Sequence, residues 1–400
     1  MPKLEQPLLF KPAPLPTAEL SADERLACLR LIRSENVGPV TFRELINRFG
    51  GAARALEALP ELSRRGGSRR PIRLCPKSDA ERELEAAERV GAVPVFTIEP
   101  DYPALLARIE APPPMLYIKG RRELLNCAAV AIVGSRQCSA AGVQLTRRFA
   151  NELAEAGFVI VSGLARGIDR AAHDIALNRG TVAVLAGGID WIYPPEHAEL
   201  QQRIGIEGCL VTERPPRFQP RDKDFPRRNR IIAGLVYGVV IIEAATRSGT
   251  LVTARYANDL GREVFALPGH PLDPRAEGTN RLIKSGATFV TAPEDVVEVL
   301  RPIMGLQEHR ADYTLPVDTT PNETSRQPPS GSTAPGGDQI NIVLTALGPA
   351  PVAIDALSRA TGLSVQDVQI ALLELDLAGR IERQGHSLVA VGRRCTTACH

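Results

Sequence analysis

From Gly91 to Val290 the chain repeats one arrangement: a short apolar run rich in β-branched residues, a loop, then a helical pattern. The runs are 93–96, 115–118, 129–133, 159–161, 182–185, 210–211, 239–242, 264–266 and 289–290. Runs such as Val239-Val240-Ile241-Ile242 show no polar alternation, so both faces of the strand must be covered. Helices fit between most of them, for example 144–156 and 250–260. This alternation predicts an α/β fold with a mostly parallel, doubly wound sheet and helices on both faces. Ligands of such sheets gather at the carboxyl ends of the strands, which makes the loops there the place to look.

Four of those loops carry glycine. Val133 is followed by Gly134-Ser135-Arg136, where glycine permits a sharp turn, serine offers a donor and arginine a fork for phosphate. Val161 is followed by Ser162-Gly163-Leu164-Ala165-Arg166-Gly167-Ile168-Asp169, with Asp169 near the next helix start. Leu185 leads into Ala186-Gly187-Gly188-Ile189-Asp190, and Ile242 into a loop ending in Arg247-Ser248-Gly249-Thr250. Packing glycines explain any one of these loops. Four of them, three with arginine nearby, point to a phosphate-lined groove.

The stretch 225–250 joins that groove to a basic segment. Phe225-Pro226 opens a helix, with proline tolerated near its start. Arg227, Arg228, Asn229 and Arg230 follow in the first turns, where the helix dipole favours acids. Cations placed there make sense beside a bound anion, while the plainer reading pairs them with Asp222, Asp224 and Glu243. Residues 213–230 hold seven arginines and lysines, Arg221 and Lys223 among them, against three acids. A solvated loop is one reading. Phe225 embedded in the run favours a stacking platform beside phosphate contacts, as single strands need. Ser248, Gly249 and Thr250 at the next helix start add small residues and hydroxyls suited to a phosphate.

A formal net charge of +2 over 400 residues confines any nucleic-acid contact to a local patch. Seven scattered cysteines, an odd number, and no signal peptide or membrane-length apolar run fit a reduced, cytoplasmic setting. The tail Cys395-x₃-Cys399-His400 lacks a second ligand pair, so no metal is expected. His173 and His270 have no Ser, Cys or metal partner at useful spacing and read as structural. Residues 1–20 are Pro-rich and read as a flexible N-terminus. From Ser21, with Glu24 closing a capping box, residues 21–88 read as a small helical domain with a helix-hairpin-helix turn at Gly38-Pro39. Arg64-Arg65 and Arg69-Arg70 read as a solubilising loop. The core is assigned to 89–305, a disordered Pro/Thr/Ser/Gly linker to 306–338, a winged-helix domain to 339–392 and a tail to 393–400. The third helix of that last domain, 364–380, carries Asp367, Glu374 and Asp376 against Arg380. An acidic helix is a poor guest in a major groove, which points to protein contact.

The chain resembles the DprA/Smf family, the DNA-processing proteins of natural transformation. The signatures are Gly134-Ser135-Arg136, Ser162 to Asp169, Phe225 to Gly234 and Ser248-Gly249-Thr250, and the resemblance spans nearly the whole chain. It implies an extended Rossmann-like core that forms a homodimer, binds single-stranded DNA and loads RecA on it, without a cofactor. It also places Arg136 and the basic residues before Phe225 in the DNA pocket, leaving open whether Arg221 or Lys223 makes the contact.

Three functions compete. The first is a non-catalytic single-strand binder. The second is an enzyme, because the core also resembles nucleoside-monophosphate phosphoribohydrolases; there Thr253 stands at the catalytic glutamate position, with Glu243 or Asp169 as substitutes. The third is a regulator acting through the winged helix, which the acidic helix disfavours.

Overall fold

A computed structural model describes residues 20–68, 70–311, 337–348, 350–384 and 388–392. The Pro-rich start, most of the expected linker and the Cys395/Cys399/His400 tail lie outside them. The chain forms two compact units, one built mainly from 83–109 and 115–314, the other from 20–82, 110–114 and 315–400.

In chain order the helices α1 (Ala22–Arg33), α2 (Pro39–Phe49) and α3 (Ala52–Arg65) open the second unit, and α4 (Lys77–Arg89) leads to the sheet. Ser21 caps α1 by accepting from the Glu24 amide at 3.2 Å. The expected capping box is only half formed, because the Glu24 carboxylate accepts instead from the Ala52 amide at the start of α3. Gly50 at φ +69° takes the left-handed conformation that ends α2. Arg64 and Arg65, expected in a loop, form the last turn of α3.

The other unit holds a nine-stranded sheet: β1 (Val93–Phe96), β2 (Met115–Gly120), β3 (Ala129–Val133), β4 (Val159–Ser162), β5 (Thr181–Val184), β6 (Cys209–Thr212), β7 (Gly238–Ile241), β8 (Glu263–Ala266) and β9 (Thr288–Phe289). The order across the sheet is β1-β2-β6-β5-β4-β3-β7-β8-β9, with β3 to β9 parallel, β2 antiparallel to β6, and β1 antiparallel to β2 at the edge. Between strands come α5 (Ala104–Ala107), α6 (Ala140–Glu155), α7 (Ile168–Ala176), α8 (Ala198–Glu207), α9 (Asp224–Gly234), α10 (Thr250–Asp259) and α11 (Glu277–Lys284). Helix α12 (Pro293–Ala311) follows β9, so residues 306–311, expected in the linker, continue a helix.

The unalternated strands now have their reason. Ala129, Ala131 and Val133 of β3 enter one apolar layer, while Val130 and Ile132 enter the layer on the opposite face. Each fully buried valine or isoleucine contributes about 1.5–3 kcal/mol relative to exposure, which favours apolar residues at every position of such a strand. Succession runs from β3 outward through β4, β5 and β6, then returns to β7 beside β3 and proceeds to β8 and β9. The reversal at β3 and β7 is the topological switch point, where loops diverge to opposite faces and leave a crevice.

Past the undescribed segment, α13 (Gly337–Ala346), α14 (Ile354–Thr361) and α15 (Val365–Leu377) pack around Val343, Leu357, Val368 and Leu372. The short strand β10 (Val352–Ala353), absent from the sequence reading, pairs with β12 (Leu388–Val391), which also pairs with β11 (Ile381–Gln384). Three helices and a three-stranded wing make a winged-helix domain.

Candidate nucleic-acid interface

The loops after β3, β4 and β7 meet at the switch point, and glycines set how closely. Gly167 has φ +75°, and a Cβ there would lie 2.4 Å from the Ser135 carbonyl oxygen. Gly134 leaves room for Ile168, whose Cγ1 would be 2.6 Å from an added Cβ. The first two loops are thus pressed together, with the Ile168 amide donating to the Ser135 carbonyl at 3.3 Å. Thr250 fastens the third, its hydroxyl donating to the Gly134 carbonyl at 3.0 Å. Ser248 Oγ donates to Thr250 Oγ1 at 3.0 Å and accepts from the Thr250 amide at 3.2 Å. Both hydroxyls, expected to hold phosphate, are therefore engaged in holding the loop. Gly249 at the tip stays exposed, and its carbonyl accepts from the Asn229 amide at 3.3 Å.

Beneath the loops lies a buried polar layer. Asp169 Oδ2 accepts from the Gly163 and Ala165 amides at 3.2 and 3.3 Å. Burial pushes its carboxyl above the ordinary range, against the pull of Arg228 and the two amides. Arg228 donates through one terminal nitrogen to the carbonyls of Gly163, at 2.7 Å, and Val184. Burial pushes its guanidinium down to about 10, opposed by Asp169. A Cβ on Gly163 would stand 2.5 Å from that guanidinium, so the glycine makes its room. Arg228 is 6 % exposed and ties the ends of β4 and β5 together. It is a strut, not the phosphate contact the sequence pattern suggested.

Other expected contacts are redirected likewise. Arg166 is exposed but paired with Glu196, and Arg230 is paired with Glu213. Asp224 at the start of α9 is buried, pairs with Arg214 and accepts from the Arg221 amide at 2.9 Å. Of the α9 arginines that the plainer reading paired with Asp222, Asp224 and Glu243, only Arg230 has an ion-pair partner among the described residues, and it is Glu213. Glu243, the suggested partner at the end of β7, instead accepts from the amide and hydroxyl of Ser139.

What faces solvent includes five cations, of which Arg136 lies over an aromatic ledge. Arg136, Arg221, Lys223, Arg227 and Arg247 are exposed, and among the described residues none of the five has an ion-pair partner. The Arg136 guanidinium lies 5.6 Å from the Phe225 ring centroid, and the Tyr193 ring lies 5.1 Å from that centroid at 54°. Phe225 is half-buried and Tyr193 is 43 % exposed. Arg136, Tyr193 and Phe225 line a cleft with Trp191, Pro220 and Gly187. A Cβ on Gly187 would press on Trp191 and Pro220, so this glycine lets the aromatic wall close. Tyr193 and Trp191 were missed in the sequence. The available signal was Trp191-Ile192-Tyr193 directly behind the Gly187-Gly188 loop.

Doubly wound sheet, a cleft over the strand ends and an aromatic ledge define a Rossmann-like core, in a chain that also carries a helix-hairpin-helix domain and a winged helix. Residues 94–301 match the family described as DNA recombination-mediator protein A, 22–86 the DprA-like N-terminal HHH domain and 327–385 the DprA winged helix domain. Protein Smf of Escherichia coli is 40% identical over 297 residues, covering 74% of this chain and 76% of that protein. DNA processing protein DprA of Streptococcus pneumoniae is 45% identical over 207 residues, 51% of this chain and 73% of that one. The X-ray structure of the S. pneumoniae protein superposes with a TM-score of 0.60 at 33% identity, covering 70% of this chain and 98% of that chain. The chain belongs to the DprA/Smf family.

Proposed function

We propose that the switch-point cleft binds single-stranded DNA without sequence readout and without catalysis. The observation that carries this reading is Arg136 over the Tyr193–Phe225 ledge, with Arg221, Lys223, Arg227 and Arg247 also exposed and without an ion-pair partner among the described residues. Stacking a base on an aromatic ring contributes about 1–3 kcal/mol and is indifferent to base identity. A duplex hides its base faces, so it can use the cations but not the ledge. Both Arg221 and Lys223 are exposed, and in this reading both follow the phosphate backbone.

The carboxylates offered for a hydrolase are otherwise engaged: Asp169 accepts two backbone amides in the interior, and Glu243 accepts from Ser139. Thr253, at the glutamate position of the phosphoribohydrolases, is buried. These placements support a binding role over hydrolysis. Family membership supports a part in DNA processing during transformation, and with it cytoplasmic action, homodimerisation and delivery of the strand to RecA. No described helix is long and apolar enough to cross a membrane.

Competition tests the reading. A labelled oligo-dT bound to the full chain should be displaced by unlabelled single strands of mixed sequence at much lower concentration than by blunt duplex. Equal displacement by duplex, or displacement by a nucleoside monophosphate with release of its base, would overturn it.

A further inference from the structure

In a helix-turn-helix fold the last helix is the one that enters the major groove. Here that helix, α15, is covered by protein from the other end of the chain. Glu374 on α15 is fully buried and pairs with Arg65 of α3 at 2.9 Å. Arg383 of β11, 8 % exposed, grips Glu44 of α2 with two hydrogen bonds of 2.9 Å across 339 residues of sequence. Its Nε also lies 3.2 Å from Asp376, which accepts from the Thr41 hydroxyl at 2.7 Å.

The backbone is fitted as closely as the charges. A Cβ on Gly66, just past α3, would lie 1.9 Å from the Glu374 carbonyl oxygen, so only glycine lets α3 end against α15. The Leu377 carbonyl, in the last turn of α15 where helical partners run out, accepts from Asn36 at 3.0 Å. Two of the three acids that look misplaced on a groove-reading helix, Glu374 and Asp376, thus have basic partners on α3 and β11.

We propose that α15 is the docking helix of a clasp within one chain, which joins the helix-hairpin-helix and winged-helix domains into one body and closes the winged helix to duplex DNA. The proposal is independent of the single-strand site, because none of its residues lines the switch-point cleft.

The test uses the full chain with a protease site inserted between residues 315 and 335, cut after folding. The two pieces should co-elute from a sizing column at low micromolar concentration. Glu44→Arg and Arg383→Glu should each weaken that association by about tenfold or more, since each leaves a shielded charge facing its like. The double variant Glu44→Arg/Arg383→Glu restores opposite charges between positions 44 and 383 and should recover part of it, which a merely misfolded variant would not; the rest is lost to the Asp376 carboxylate beside position 383. Separation of the wild-type pieces, or no recovery in the double variant, would overturn the clasp. A thiol-to-thiol crosslinker on the uncut Glu44→Cys/Arg383→Cys chain, read on a denaturing gel, decides whether the contact is made within a chain. A link that depends on both new cysteines and runs at monomer mass supports the clasp, and one at dimer mass contradicts a clasp within one chain.

Discussion

Arg136 and Arg228 carry the same guanidinium and do opposite work, because one follows an exposed turn and the other is enclosed by backbone carbonyls. Removing Arg136 should therefore leave melting unchanged and weaken single-strand binding by about 1.5–3 kcal/mol, the range for a charge-assisted hydrogen bond. Arg136→Lys keeps the charge, loses the planar fork and should recover part of the affinity. Anisotropy and thermal melting on the same preparations check this. Gly167→Ala is the converse case. At φ +75°, with the Ser135 carbonyl 2.4 Å from any Cβ, it should lower stability by about 1–3 kcal/mol through overpacking and displace the loops. His173 gives a pH signature. Thr181 Oγ1 donates to the Ile160 carbonyl, so it accepts from His173 Nδ1–H, leaving a buried Nε2 with no partner among the described residues. Burial, with Arg228 and His197 adding to it, pushes this imidazole from its ordinary 6.5 down to about 3. The unfolded chain then takes up a proton that the folded one refuses. Stability should be constant above about pH 6.5 and fall as pH drops toward 3, by up to about 1.4 kcal/mol per unit. His173→Asn should flatten the part of that slope between pH 6.5 and 5 in denaturant titrations.

At the scale of elements, all nine strands of the large sheet were legible within a residue or two, because the central ones are buried on both faces and so are almost wholly apolar, while the edge strand β9, with Phe289 56 % exposed, is short. The glycine loops were legible as well, since close approach of backbones leaves no alternative residue. Which arginine of α9 faces solvent was not. Arg227 and Arg228 are adjacent in α9, one exposed and one interior, and the difference lies in Val184 and Gly163, far away in sequence. The hydroxyl of Thr250 misled for the same reason: its acceptor, the Gly134 carbonyl, is 116 residues distant, and the Ser248 hydroxyl in turn donates to Thr250 Oγ1. Tyr193 gave no periodic signal, because it sits in a loop whose position depends on Gly187 and Phe225. The element-level consequence is that Tyr193→Ala should weaken single-strand binding by about 1–3 kcal/mol and leave duplex binding nearly unchanged. Parallel titrations with the two DNA forms would show it.

For the whole molecule, the residues of the proposed single-strand site belong to one unit and those of the proposed clasp to the other. Truncation should respect α12, whose Leu300 and Met304 are buried, so a chain ending after Ala311 is the one to make. It should keep most of its single-strand affinity while the helix-hairpin-helix domain, stripped of α15, becomes easier to unfold. A large loss of affinity in a folded core would place DNA contacts in the winged helix instead. The central claim, that unpaired cations at the switch point grip a phosphate backbone, is tested most directly by the salt dependence of oligo-dT affinity. Each phosphate neutralised on a single strand contributes about 0.7 to the slope of log affinity against log salt. The wild-type chain should show a slope approaching ~3.5 if all five cations engage, and Arg136→Ala one smaller by about 0.7. A flat wild-type response, or an unchanged slope in the folded Arg136→Ala protein, would contradict it.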